Sequence, residues 1–81
     1  MAITRESMTE WVTEALRLLG GRATVLDVSK KVWEKHGDEI TSSGDMFYQW
    51  QYEIRWSAEA LRRRKVIRPV SQSSRGIWEL V

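Results

Sequence analysis

The sequence predicts one α+β domain of three helices and a small C-terminal pair of strands, and three observations point to it. Apolar residues recur at three- and four-residue intervals over most of the first 65 positions, and two short runs rich in Val, Ile and Trp close the chain. A Gly-Gly pair, a polar loop and a Ser-rich loop separate these segments. A chain of 81 residues suits a single domain spanning its whole length, because so short a chain buries only about 60% of its unfolded surface. Its five Trp residues support such a core, since each large aromatic can bury roughly 150–250 Å².

Each element has its own signals. Ser7 and Glu10 have capping-box spacing, and Met8, Trp11, Val12, Ala15, Leu18 and Leu19 form an apolar stripe that stops at Gly20 and Gly21. This predicts a first helix over 7–19. A brief strand at 22–24 precedes Thr24, which with Asp27 offers a second helix start. Val25, Val28 and Val32 share a face, so a second helix runs to about His36. Residues 37–45 read as a polar loop, with Asp45 placed to cap a third helix. From Met46 to about Lys65 there is no Gly or Pro, and Phe47, Trp50, Ile54, Ala58 and Leu61 make the inward stripe. Runs 66–70 and 76–81 then read as strands joined by a hairpin loop at 71–75, with Pro69 confining its strand to a sheet edge. The order helix, strand, helix, helix, strand, loop, strand is that of a winged helix-turn-helix with a small antiparallel β-hairpin wing.

Composition excludes several classes. Without Cys there is no disulfide framework, thiolate metal site or Cys nucleophile, and the chain fits a reducing cytoplasmic compartment. No apolar run is long enough for a membrane span or a signal core. His36 is the single histidine and is expected to be solvated at a helix end, without a metal role. Asp38, Glu39 and Asp45 lack the alternation of a calcium loop, and no Gly-rich phosphate loop occurs. Neither catalysis nor a cofactor is expected. Charge is uneven: residues 53–81 carry seven Arg or Lys against three Glu, and residues 1–52 carry six against eight acids. That asymmetry suits an anionic partner facing the C-terminal part.

The third helix carries the candidate site. Opposite its inward stripe fall Tyr52, Trp56, Glu59 and Arg63, flanked by Tyr48, Gln49 and Arg55. Exposed aromatics among Gln and Arg ask for a partner. A helix fits the DNA major groove, where Gln pairs with adenine and Arg with guanine, so Gln49, Gln51 and Arg55 are candidates for base contact. Among Arg62, Arg63, Arg64 and Lys65, one or two could touch phosphate, with Arg62 and Arg63 the candidates. Arg75, with Ser73 and Ser74, sits at the expected loop tip, where it could reach phosphate or a minor groove. The competing readings are a solvated polar face, packing of Trp56 on the strands, and a protein-interaction or homodimer surface built on Trp33, Tyr52 and Trp56.

The stretch from Glu53 to Leu61 centred on Arg55 and Trp56, then Val66, Ile67 and Pro69, then Ser74 to Leu80 with Arg75, Gly76 and Trp78, resembles the N-terminal winged-helix domain of Mrr-type restriction endonucleases. The likeness covers about residues 46–81. It implies a module binding double-stranded DNA, commonly attached to a nuclease domain that cleaves modified DNA in restriction-modification. The acidic and Lys residues of such a nuclease are absent here. By position, Arg55 and Trp56 match the helix motif, and Arg75, Gly76 and Trp78 the wing motif. A sharper expectation is that Tyr52 and Trp56 sense a modified base such as methylated adenine, whose methyl group offers an apolar contact.

Overall fold

Helices α1 (Arg5–Leu18), α2 (Val25–Thr41) and α3 (Met46–Arg63) pack around one core, with strands β1 (Arg22–Thr24) and β2 (Ile77–Glu79) closing one side. The structure, a computed structural model, describes residues 3–69 and 76–81. Met8, Val12, Ala15 and Leu16 of α1 meet Val28, Val32 and Ile40 of α2, and Ile54, Ala58 and Leu61 of α3. Ile67 and Trp78 seal the cluster from the C-terminal side. No helix among the described residues is long and apolar enough to cross a membrane.

The first helix begins earlier than expected. Thr4 is its cap, accepting a hydrogen bond from the Ser7 N–H at 3.0 Å, so Ser7 is inside the helix and not its start. Leu16 is fully buried and Leu18 is exposed, a rotation of the stripe that lets α1 face α2 and α3 together. The exit is as read: Gly20 takes a φ of 90°, and the Gly21 N–H reaches back to the Leu16 carbonyl at 2.7 Å.

Thr24 caps α2 by accepting from the Asp27 N–H at 3.0 Å, as its spacing predicts. The expected end at about His36 is too early and the loop expected at 37–45 shrinks to 42–45, because α2 continues through Gly37 to Thr41. The reason is Ile40, which is fully buried and extends the Val28 and Val32 face by two turns. That gain in apolar burial outweighs the weak helix propensity of one Gly.

The Asp45 side chain makes no capping bond to α3, contrary to expectation, and only its carbonyl accepts, from the Tyr48 N–H at 3.0 Å. The buried side of α3 is Glu53, Ile54, Ser57, Ala58, Ala60 and Leu61, an arc of about 160° at 100° per residue. It is wider than the predicted stripe and turned toward α1, since α3 packs against α1 and α2 at once. Phe47, expected inside, is exposed at the helix entrance and lies stacked on Tyr48.

The sheet also differs. β1 pairs antiparallel with β2 in the register Arg22 to Glu79, Ala23 to Trp78 and Thr24 to Ile77. The expected strand at 66–70 is reduced to one bridge, Ile67 to Leu80, with the Arg68 N–H on the Glu79 carbonyl (2.8 Å) and the Val81 N–H on the Val66 carbonyl (3.0 Å). Pro69 has no N–H with which to extend this pairing. The expected loop at 71–75 lies outside the described residues.

Candidate nucleic-acid interface

The outward arc of α3 follows from its inward one. Tyr48, Tyr52, Arg55 and Glu59 fall within about 60° of one another, facing away from the core. Tyr48 is 87% exposed and Tyr52 66% exposed, so neither ring is used to stabilise the fold by burial. Gln49, Gln51 and Arg55 are exposed beside them. Among the described residues no hydrogen bond or ion pair engages these amides or the Arg55 guanidinium. A line of aromatic rings, free amides and one free guanidinium on a rigid rod can stack, donate and accept toward a flat or grooved anionic partner.

Trp56 is placed differently from the expectation of a free ring. It is half-buried, with the Arg5 guanidinium of α1 4.2 Å from its centroid and Arg63 at 5.8 Å. Arg5 also donates from Nε to the Glu53 carboxylate at 3.1 Å, and Glu53 is almost wholly buried. The ring is thus part of an α1–α3 clamp, because a cation held over an indole face is attracted by its quadrupole.

The basic run divides in the same way. Arg62 donates to Glu59 at 2.7 Å with a half-buried side chain, and Arg64 forms a pair with Glu6 at 3.2 Å. Arg63 and Lys65 remain exposed without a carboxylate partner among the described residues. Of the two expected phosphate contacts, Arg63 keeps its charge available and Arg62 does not. Ser73, Ser74 and Arg75 lie outside the described residues.

Two aromatic arrangements escaped sequence reasoning. His36, expected to be solvated, stacks on Trp11 at 3.9 Å and 5°, with Nε2 3.0 Å from Glu14 and Nδ1 3.0 Å from Glu39. It therefore ties α1 to α2 and belongs to the scaffold. Trp33 stacks on Trp50 across α2 and α3 at 5.3 Å while remaining 42% exposed. The spacing of Trp33 with Leu26, seven residues apart on one face of α2, was the available signal. No group of three or more His, Asp or Glu side chains among the described residues is arranged so that it could hold a metal ion. Comparison with protein-family models, with curated proteins and with solved structures returns no match.

Proposed function

We propose that this chain is a double-stranded DNA-binding module of the winged helix-turn-helix class, a binder and not a catalyst, with α3 lying in the major groove. One observation carries the reading: the outward arc of α3 presents Tyr48, Gln49, Gln51, Tyr52 and Arg55 to solvent with their amides and guanidinium unengaged. An α3 of 18 residues is about 27 Å long, enough to lay several side chains along a groove. Gln49, Gln51 and Arg55 read base edges, and Arg63 contacts phosphate. Arg75, with Ser73 and Ser74, contacts the neighbouring backbone or minor groove.

The likeness to the Mrr-type domain supports this reading and extends it to a fused nuclease in a longer protein and to a modified base as the feature sensed. With Trp56 held by Arg5 and Arg63, that sensing rests on Tyr52. A labelled duplex titrated over a range of salt concentrations is the test. Affinity that falls steeply with salt supports the proposal, and salt-independent or absent binding rejects it. Equal affinity for duplexes with and without methylated adenine removes the modified-base extension alone.

A second reading, homodimerisation or protein interaction, is favoured by the exposure of Leu26, Trp33, Phe47 and Tyr48 around the α2–α3 edge. Tight self-association in sedimentation, without salt-sensitive DNA binding, would select it.

A further inference from the structure

We propose that the groove between α2 and α3 binds a small planar aromatic compound carrying one carboxylate. Leu26, Ser29, Lys30 and Trp33 of α2 and Trp50 and Gln51 of α3 line an open space of about 460 Å³. That volume is within the range of about 300–1,000 Å³ common for small-molecule sites. Its chemistry is specific. The Trp33 ring, 42% exposed, has Trp50 stacked on it and Gly37 packed against its fused centre, so it offers its ring edge, and Leu26, 62% exposed, offers an apolar surface in the same groove. A flat aromatic ring laid against them covers apolar surface now in contact with water, and meets the indole edge in an edge-to-face arrangement.

Polar groups select the rest of the ligand. Lys30 is exposed and pairs with no carboxylate among the described residues, whereas its neighbour Lys31 is taken by Glu34 at 3.1 Å. An uncompensated ammonium beside an apolar groove favours an anion, and one ammonium matches one carboxylate. The unengaged Gln51 amide can donate to the second carboxylate oxygen. The Ser29 hydroxyl already donates to the Val25 carbonyl at 2.9 Å, so it acts toward a ligand only as an acceptor.

This site does not rest on the DNA reading, although Gln51 belongs to both surfaces. A ligand here that changed DNA affinity would have its own affinity changed by DNA to the same degree.

The experiment is titration of the full chain with naphthoate and with its neutral analogue naphthalenemethanol, followed by Trp emission and amide shifts. Naphthoate should saturate the protein with a dissociation constant of about 0.1 mM, the strength expected of a ligand of this size. The shifts should be confined to the lining residues, and naphthalenemethanol should bind several-fold more weakly. Lys30→Glu, an exposed substitution, should weaken naphthoate about tenfold and leave naphthalenemethanol and the unfolding midpoint unchanged. Failure to saturate, shifts centred elsewhere, equal affinity for the two compounds, or an unchanged naphthoate affinity in Lys30→Glu would each overturn the proposal. DNA binding measured separately stands or falls independently of these outcomes.

Discussion

The Arg5 guanidinium lies across the Trp56 ring at 4.2 Å while its Nε donates to the buried Glu53 carboxylate at 3.1 Å. One side chain from the first turn of α1 thus holds the middle of α3 by two interactions at once. Arg5→Ala removes both and leaves Glu53 without its cation. The expected cost is about 1–3 kcal/mol, that of a buried acceptor left unmatched. Urea unfolding checks the value, and Trp emission should move to the red as the ring of Trp56 loses its cover. An unchanged midpoint would mean that Glu53 finds water instead.

Ile40 tests the length of α2. If 37–45 were a solvated loop, trimming Ile40 would cost nothing measurable. Because it is fully buried against Val32 and its neighbours, Ile40→Val should cost about 1 kcal/mol and Ile40→Ala about 2–5 kcal/mol. Thermal unfolding of the milder variant suffices, with Leu26→Ala on the exposed face as a near-silent control.

The end of α3 contains a correctable strain. Lys65 has a φ of 62°, and the Val66 N–H bonds back to the Leu61 carbonyl at 2.9 Å, the same closure that Gly20 gives α1. A side chain in this left-handed conformation is disfavoured, so Lys65→Gly should stabilise the fold by about 0.5–1 kcal/mol. Chemical denaturation at constant salt would show it, and a loss of stability would refute the strain argument.

Arg55 and Arg62 separate interface from scaffold. Arg55 is exposed with no partner among the described residues, and Arg62 is already bonded to Glu59. On the proposed DNA reading, Arg55→Ala should lower duplex affinity. It should also flatten the plot of log affinity against log salt by about one unit if a phosphate is lost, or relax sequence preference if a base is lost. Arg62→Ala should leave the slope unchanged. Equal effects from the two would remove the distinction drawn from their pairing.

Much of the local structure was legible in order along the chain. Thr24 with Asp27 marked the start of α2, and Gly20 with Gly21 the end of α1, because capping depends on residues three or four positions apart. The exposed side of α3 was legible for the same reason: Tyr48, Tyr52 and Arg55 follow from helical periodicity once Ile54 and Leu61 are turned inward. The end of α2 was not, since Gly37 is a breaker by propensity and only the burial of Ile40 against other helices overrides it.

The sequence alone thus determined how many helices form and that Tyr48, Tyr52 and Arg55 of the third one point outward. Tertiary structure decided which charges on that helix are free. Arg64 is matched by Glu6 and Trp56 is covered by Arg5, partners more than fifty positions away, and Glu53 is buried because Arg5 reaches it. Periodicity is a local property of one segment, whereas a charge is neutralised by whatever the packing of separate segments brings beside it.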